Sequence, residues 1–343
     1  MPEPRIRPLE GRTLVVGDGG WGTALALALH RRGRPVVVWS HDAAYAQEVA
    51  SSLENRKFLP GVPIPADLPW TGDHDEALEG AGCFLSVVPT QFLRATLKRF
   101  GARLATLPAI SATKGLERKT LERPSEVVRE VRGGDAPVAV LSGPSHAEEV
   151  ARNRATSVVV ASPDREFALQ VQELLGSATL RLYTSEDGIG VELGGGLKNI
   201  IAVAAGITDG LGLGDNAKAA LVSRGLMEMA RYGHACGARF ETFFGLSGAG
   251  DLMVTCYSRH SRNRALGERI GRGETLEEVL ASTEKVAEGV STCRAIHEAA
   301  GRRQVDMPIT AALHAILFEG LPPHDAVAGL MHRPARPEMD PIG

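Results

Sequence analysis

The chain has 343 residues, of which 38 are basic and 41 are acidic, with no long run of either sign. This length predicts about two domains, each able to bury its own core, and the balance of charge argues against a nucleic-acid partner. The cysteines are scattered without a Cys-x-x-Cys pair, so we expect reduced thiols and a cytoplasmic location. We also expect no membrane insertion, because we find no signal-like apolar segment and no apolar run as long as a membrane span.

Residues 14–29 form the most informative segment, in which a short apolar strand leads into a Gly17-x-Gly19-x-x-Gly22 turn and then an amphipathic helix. Gly17 permits a tight turn, Gly19 lets the backbone approach a pyrophosphate, and Gly22 lets the helix pack on the strand. The N–H groups at the start of the helix would then face an anion. The segment predicts a dinucleotide-binding turn, although a purely structural glycine-rich turn has the same composition.

Further apolar runs rich in β-branched residues predict strands at residues 36–39, 84–88, 138–141, 157–161 and 180–183. Strands that alternate with helices or loops are typical of a mostly parallel sheet covered on both faces. From about residue 187 helical periodicity takes over, at residues 191–207, 217–232, 261–270, 276–280, 291–300 and 309–318. We therefore predict an α/β Rossmann-type domain over residues 1–187, an all-α domain over residues 188–331, and a disordered tail over residues 332–343.

The end of the second strand bears on which nicotinamide cofactor is bound. An acid about 20 residues beyond the glycines binds the ribose 2′-OH of NAD, whereas neutral or basic groups leave room for the 2′-phosphate of NADP. Here Trp39 is followed by Ser40, His41 and only then Asp42. We expect NADP to be tolerated or preferred, with Ser40 and His41 donating to its phosphate, unless Asp42 turns inward. His41 is equally typical of a solvated loop.

Candidate ligand-binding residues follow later strands of the predicted sheet. Residues 87–90 end a strand at the edge where open α/β sheets bind ligands, and they are equally compatible with a plain strand end. Lys114 follows an apolar run and lies beside Gly115, which suits a phosphate or carbonyl oxygen, although surface loops contain many lysines. Ser145 and Glu148 form an S-x-x-E capping box, which predicts a helix start whose N–H groups also suit an anion.

The predicted helical domain carries a lysine in an unusual setting. Lys198 lies in a segment that is apolar on every side, where an unpaired ammonium would be costly. A buried lysine has a lowered pKa and becomes usable in acid/base chemistry, but a lysine at a helix end can also extend to solvent. Asp251 follows small residues and suits the orientation of a lysine or a substrate hydroxyl.

Ser261 predicts an N-cap, followed by the guanidinium of Arg262, which suits phosphate, and by the amide of Asn263. The alternative is a solvated helix start. Along the sequence no histidine pair falls at metal-ligand spacing, so no metal site is predicted.

Taken in order, a series of motifs resembles the bacterial NAD(P)-dependent glycerol-3-phosphate dehydrogenases over nearly the whole chain. The motifs are GDGGWGT at residues 17–23, NRKFLPG at 55–61, ATKGLE at 112–117, SGPS at 142–145, GGGLKN at 194–199, GDL at 250–252 and SRN at 261–263. The resemblance implies the reversible reduction of dihydroxyacetone phosphate by NAD(P)H to sn-glycerol 3-phosphate, which supplies glycerophospholipid synthesis. Helical second domains of this kind often dimerise, so a homodimer is compatible with it.

Carried over by position, the resemblance implies that Lys198 is the acid/base, that Lys114 helps to polarise the carbonyl oxygen, and that Asp251 is a third catalytic residue on the substrate side. The substrate-binding positions are Lys114, Gly143, Ser145, Lys198, Asp251, Ser261, Arg262 and Asn263. The cofactor-binding positions are Gly17, Gly19, Gly20, Trp21, Gly22, His41, Lys114, Ala147, Arg262, Val286 and Glu288.

The sequence departs from common members of that family at Ser145, where threonine is frequent, and at Ser40, where glycine is often found. The first change retains a hydroxyl, whereas the second leaves the cofactor preference open. Other functions also remain open from the residues alone. A β-hydroxyacid-type reductase would not need Arg262 to hold a phosphate, and a non-catalytic nicotinamide-binding sensor would not require Lys198.

Overall fold

The structure is a computed structural model and describes residues 8–282, 287–335 and 337–338. The described residues group into two compact units. The first is formed by the chain up to Glu117 together with Glu122–Glu192, and the second by Arg118–Leu121 together with the chain from Leu193 onward. The first unit is α/β and the second is helical, which confirms the predicted fold class.

The first unit contains an eight-stranded sheet with the strand order β3-β2-β1-β4-β5-β6-β7-β8. Its strands are β1 (Arg12–Val16), β2 (Val36–Trp39), β3 (Trp70–Thr71), β4 (Ala81–Ser86), β5 (Ala109–Ser111), β6 (Val138–Ser142), β7 (Thr156–Ala161) and β8 (Leu180–Ser185). Neighbouring strands are parallel, except that β6 and β7 pair antiparallel. The prediction of a mostly parallel sheet is therefore confirmed.

Helices cover both faces of this sheet. They are α1 (Gly20–Arg31), α2 (Ala43–Ser52), α3 (His74–Leu78), α4 (Thr90–Phe100), α5 (Pro124–Arg132), α6 (Ala147–Ala151) and α7 (Arg165–Leu175). Successive strand residues enter opposite cores: Val15 and Leu85 lie in one buried cluster, and Leu14 and Phe84 lie in the other. Strands buried on both faces read as continuous apolar runs, which is why the sequence revealed them.

The second unit consists of helices. They are α8 (Gly188–Gly210), which begins in the first unit, α9 (Gly214–Ala235), α10 (Asp251–Tyr257), α11 (Arg262–Gly271), α12 (Leu276–Ala281), α13 (Glu288–Arg303), α14 (Pro308–Phe318) and α15 (Pro323–Met331). By length and composition, α8 is the one helix of the described residues that could cross a membrane, but 83% of its apolar window is buried inside the fold. Burial of this kind is typical of a core helix.

Glycines allow α8 and α11 to approach each other backbone to backbone. A Cβ at Gly206 would lie 2.0 Å from the carbonyl oxygen of Arg264, and one at Gly267 would lie 2.0 Å from that of Val203. Neither position has room for a larger residue. The close approach places the start of α11 beside the middle of α8.

Beyond α15, residues 332–335 and 337–338 belong to no helix or strand. The remainder of the predicted tail lies outside the described residues.

Candidate active site

The glycine-rich turn joins the end of β1 to α1. Gly17 has a φ of +123°, which favours glycine, and a Cβ at Gly22 would lie 2.2 Å from the carbonyl oxygen of Gly17. A Cβ at Gly19, in contrast, would meet nothing within 4 Å. Gly19 is the N-cap of α1, and no side chain caps this helix. The turn thus offers an open backbone surface at a helix N-terminus, which fits the pyrophosphate of a dinucleotide.

Asn55 holds the glycine-rich turn in place from a loop distant in sequence. Its side chain is fully buried, and its Nδ2 donates to the carbonyl oxygen of Asp18 at 2.7 Å and to Thr23 Oγ1 at 2.8 Å. Its Oδ1 accepts from the hydroxyl of Tyr45 at 2.7 Å. The sequence analysis named Asn55 only within the NRKFLPG motif that resembles the family. It did not predict this supporting role, because nothing along the chain indicated the hydrogen-bond partners of Asn55.

Three further predicted cofactor positions lie beside this turn. A Cβ at Gly20 would lie 2.8 Å from the carbonyl oxygen of Phe58 and 3.5 Å from the Cβ of Ala147. Trp21, the next residue of α1, is partly buried against the sheet core. The structure therefore groups Gly20, Trp21 and Ala147 with the glycine-rich turn.

The structure corrects the expectation that Ser40 donates to a 2′-phosphate. Ser40 is fully buried, its hydroxyl donates to Asp18 Oδ2 at 2.5 Å, and its Oγ accepts from the N–H of Asp42 at 3.1 Å. The side chain of Asp42 caps α2 by accepting from Ala44 and Tyr45 N–H groups. Only His41 of the three residues after Trp39 is exposed without such a local role.

Lys114 follows β5 at the carboxyl edge of the sheet and is half-buried. Two hydroxyls fix the backbone around it. Thr90 Oγ1 donates to the carbonyl oxygen of Lys114 at 2.5 Å, and Thr113 Oγ1 donates to that of Val88 at 2.9 Å. These bonds join the segments after β4 and β5, so residues 87–90 and Lys114 share one part of the edge.

The capping box predicted at Ser145 and Glu148 is wrong. Helix α6 begins one residue later than predicted, with His146 in place of Ser145 at its N-cap and no side-chain cap. The hydroxyl of Ser145 instead donates to the carbonyl oxygen of Gly143 at 2.9 Å, so the competing turn takes the hydroxyl that the cap would need. At Gly143, φ is +140° and a Cβ would lie 3.0 Å from the Cα of Val158. Both the backbone conformation and the close contact favour glycine at this position.

In the second unit, Lys198 on α8 is held by two residues of α10. Lys198 is 7% exposed and does not extend to solvent, and its Nζ forms an ion pair with Oδ1 of Asp251, which is 1% exposed. Nζ also donates to Thr255 Oγ1 at 2.8 Å, and this hydroxyl donates in turn to the carbonyl oxygen of Asp251 at 2.6 Å. The carboxylate offsets the cost of burying the ammonium.

Thr255 was missed by sequence reasoning because α10 itself was not predicted. It lies four positions after Asp251, so one face of α10 presents both side chains to Lys198. The glycines before Lys198 also have a role here. A Cβ at Gly194 would lie 2.6 Å from the carbonyl oxygen of Ser247, so glycine lets α8 approach the segment that leads into α10.

A chain of amides continues from Lys198 toward α11. Asn263 Nδ2 donates to Asn199 Oδ1 at 2.9 Å, and Asn263 Oδ1 accepts from the N–H of Gly289 at 2.9 Å. Ser261 is the N-cap of α11 and accepts from the N–H of Arg264, which confirms the predicted cap. These bonds join the starts of α11 and α13 to α8.

Arg262 is the first residue of α11 and is exposed. Within the described part of the chain, its guanidinium makes no hydrogen bond or ion pair. Glu288 is the first residue of α13 and is half-buried. Val286, predicted to bind the cofactor, lies outside the described residues.

The prediction of no metal site rested on spacing along the sequence, yet the fold brings His297, His314 and Glu319 together. Their ligand atoms lie within 4.8 Å of one another. The two imidazole rings are stacked at 4.0 Å with an interplanar angle of 15°, and His314 Nδ1 is 2.8 Å from Glu319 Oε1. Because the rings are nearly parallel, their nitrogen lone pairs lie in separate planes, and the hydrogen bond between His314 and Glu319 is the polar contact formed here.

Two family models and several relatives match nearly the whole chain. The N-terminal model of the family described as NAD-dependent glycerol-3-phosphate dehydrogenase matches residues 13–168, and its C-terminal model matches residues 187–328. A glycerol-3-phosphate dehydrogenase [NAD(P)+] of Chlorobium phaeobacteroides is 48% identical over 95% of this chain and 98% of its own length. Its counterpart in Bacillus thuringiensis is 49% identical over 96% of this chain and 97% of its own length.

A crystal structure of glycerol-3-phosphate dehydrogenase from Coxiella burnetii has a similar fold. It is 39% identical in sequence, superposes with a TM-score of 0.90, and covers 95% of this chain and 100% of its own. The matched ranges extend over both units and contain all the motifs described above. The chain therefore belongs to the NAD-dependent glycerol-3-phosphate dehydrogenase family.

Proposed function

We propose that the chain is an NAD(P)-dependent glycerol-3-phosphate dehydrogenase that interconverts dihydroxyacetone phosphate and sn-glycerol 3-phosphate. The observation that carries this assignment is the buried Lys198, paired with Asp251 and Thr255 on α10, in a chain of this family. A lysine held in this way can donate a proton to a ketone and take it back from an alcohol.

The glycine-rich turn is the proposed cofactor site. Gly17, Gly19 and Gly22, with the uncapped start of α1, would hold the pyrophosphate, and Gly20, Trp21, His41 and Ala147 would line the same region. When bound, the nicotinamide supplies or accepts the hydride. Lys114, Arg262, Glu288 and Val286 are further proposed cofactor positions, by resemblance alone.

Lys198 is the proposed acid/base. As a hydride reaches the carbonyl carbon, Lys198 donates a proton from Nζ to the carbonyl oxygen, and in the oxidation direction Nζ accepts the proton of the hydroxyl. Asp251 and Thr255 fix the position of Nζ, so the group is oriented before the reaction begins. The ammonium also stabilises the negative charge that develops on oxygen, and we assign Lys114 a second contribution to this stabilisation.

Arg262 is the proposed anchor of the substrate phosphate. Its exposed guanidinium lies at the first turn of α11, where the helix N-terminus also favours an anion. Asn263 and Ser261 support this position, because the hydrogen bonds of both residues fix the start of α11. Gly143 and Ser145 complete the proposed substrate-binding positions.

We further propose that the enzyme acts in the cytoplasm, as a homodimer, and supplies glycerol 3-phosphate for glycerophospholipid synthesis. The near balance of 38 basic and 41 acidic residues supports a function without a nucleic-acid partner.

Initial rates of NADH and NADPH oxidation test the substrate assignment directly. Dihydroxyacetone phosphate should be reduced with either cofactor, whereas dihydroxyacetone, which lacks the phosphate, should be a very poor substrate. Equal use of the two ketones would contradict the role of the phosphate and favour a different reductase. Binding of NADH without turnover of any ketone would favour the sensor alternative.

A further inference from the structure

The carboxylate of Asp18 occupies an unusual place within the glycine-rich turn. Asp18 lies between Gly17, where β1 ends, and Gly19, the N-cap of α1, and it is only 8% exposed. Acidic side chains are rarely buried without partners, because an uncompensated carboxylate is costly. The burial of this carboxylate, in a turn whose N–H groups would otherwise bind an anion of the cofactor, therefore points to a specific role for Asp18.

The hydrogen bonds of Asp18 leave half of its carboxylate available. Oδ2 accepts from the hydroxyl of Ser40 at 2.5 Å. Oδ1 accepts no hydrogen bond from the described residues, and it is not fully shielded from solvent. One oxygen is therefore fixed by Ser40, while the other keeps some contact with solvent and accepts no hydrogen bond from the described residues.

The sheet register and the hydrogen bond to Ser40 place the carboxylate of Asp18 at the ends of β1 and β2. Val16 pairs with Trp39, and the N–H of Gly17 donates to the carbonyl oxygen of Trp39 at 3.1 Å. In dinucleotide-binding folds an acid at the end of β2 accepts from the ribose 2′-OH. Here that strand end carries Ser40, which is bonded to Asp18.

We propose that Asp18 is a specificity-determining residue that accepts a hydrogen bond from the adenosine ribose 2′-OH of NAD(H) through Oδ1. The acid that other folds supply from the end of β2 comes here from the glycine-rich turn, and Ser40 positions it. A 2′-phosphate in the same place removes the donor and adds a negative charge beside the carboxylate. Asp18 therefore favours NADH, whereas the exposed His41 is the group available to a 2′-phosphate.

The inference rests on the proposed function only in requiring that this turn bind the cofactor. Its first test is equilibrium titration of the purified enzyme with NADH, NADPH and 2′-deoxy-NADH, which needs no turnover. Wild type should bind NADH more tightly than 2′-deoxy-NADH. In Asp18→Ala this difference should vanish, and the ratio of NADPH to NADH affinity should rise about tenfold or more, as expected for loss of a charge-assisted hydrogen bond.

Two control variants separate Asp18 from its neighbours. Ser40→Ala removes the hydroxyl but keeps the carboxylate, so the cofactor ratio should move less than in Asp18→Ala. Asp42→Asn keeps a good N-cap for α2 and should leave the ratio unchanged. If Asp18→Ala does not fold, judged by circular dichroism, Asp18→Asn serves instead and should shift the ratio in the same direction.

Either of two results would overturn the inference. One is a cofactor ratio within about twofold of wild type in the Asp18 variant, well below the loss expected for a charged hydrogen bond. The other is a shift toward NADPH in Asp42→Asn, which would make Asp42 the ribose-binding acid. Failure of the proposed function is separate, because it would appear as normal cofactor titrations without reduction of dihydroxyacetone phosphate.

Discussion

Lys198 illustrates, at the scale of single residues, how a charge is kept inside a helical unit. The ammonium is buried beside Asp251 and Thr255, so its position is fixed and its burial is offset by a carboxylate. Lys218 on α9 provides a comparison. It is equally buried, at 7% exposure, and pairs with Asp209 at 2.8 Å, but we assign it no catalytic role.

Replacement of Lys198 by methionine should abolish most turnover while leaving cofactor binding intact. Loss of a general acid typically costs about a hundred- to ten-thousand-fold in rate, and the contact to the developing alkoxide is lost with it. The effect should fall on kcat, measured by steady-state kinetics with dihydroxyacetone phosphate.

Lys218→Met is the matched control, because it also removes a buried ion-paired lysine but should keep kcat near that of wild type. If Lys198→Met retained more than about a tenth of the wild-type kcat, Lys198 would not be the acid, since the loss would be smaller than any expected for one.

Arg262→Ala should weaken substrate binding at the first turn of α11. Charge-assisted hydrogen bonds contribute about 1.5 to 3 kcal/mol, so the KM for dihydroxyacetone phosphate should rise by about tenfold or more. Arg272, an exposed arginine at the other end of α11, gives the control variant Arg272→Ala, whose KM should be unchanged. An unchanged KM in Arg262→Ala would remove this residue from the phosphate site.

At the scale of secondary-structure elements, the close contact between helices α8 and α11 positions residues of the candidate site. The hydrogen bond between the side-chain amides of Asn199 and Asn263 requires that these two helices lie close together. Glycines on both helices allow this short distance. At Gly267, an added Cβ would lie 2.0 Å from the backbone oxygen of Val203. This distance is a steric clash, so the two helices would have to move apart.

Gly267→Ala should therefore destabilise the protein although alanine favours helices. Overpacking typically costs about 1 to 3 kcal/mol, occasionally more, against a gain of about 0.5 to 1 kcal/mol from helix propensity. Gly301 in α13 is the matched control, because a Cβ there would meet nothing within 4 Å, so Gly301→Ala should be stabilising. Urea denaturation of both variants checks the prediction, and equal stabilisation by the two alanines would show that the helices are not in contact as described.

At the scale of the whole molecule, a buried acid makes stability depend on pH. Glu228 on α9 accepts from the N–H groups of Ile309 and Thr310 at the start of α14. Burial raises its pKa to about 7, above the ordinary value of 4.5 and despite these hydrogen bonds, which favour the ionised form. The folded state thus binds a proton more tightly than the unfolded state.

The sign of the effect follows from this difference. The contribution of Glu228 is fully present below pH 4.5 and is lost as the pH rises through about 7. Glu228→Gln cannot ionise, so the free energy of unfolding should decline less between these two pH values than in wild type, even if it is lower throughout. Denaturation curves across this range measure the slope, and the same slope in both proteins would contradict a raised pKa.

The sequence predicted those parts of the fold that depend on long local patterns. Strands of four or more residues were predicted from apolar runs. In contrast, β3 and β5, with two and three residues, are too short to form a pattern and exist through pairing with β2 and with β4 and β6. Lys198 stood out because its surroundings are apolar. Its partner Thr255 did not, because that contact depends on α10.

Errors arose where one polar group had two partners to choose from. The S-x-x-E pattern at Ser145 predicts a cap, but the hydroxyl bonds to Gly143 instead. Ser40 appeared available to a cofactor phosphate, but Asp18 takes its hydroxyl. Such choices are decided by contacts between residues distant in sequence, which no local pattern contains.

The most direct test of the central claim is to follow a labelled hydride. The enzyme is incubated with dihydroxyacetone phosphate and NADH carrying deuterium at both C4 positions, and the product is analysed by NMR. The account predicts glycerol 3-phosphate with one deuterium at C2, and none of this product with Lys198→Met on the same timescale. Absence of glycerol 3-phosphate with wild type, or a product without deuterium at C2, would contradict it.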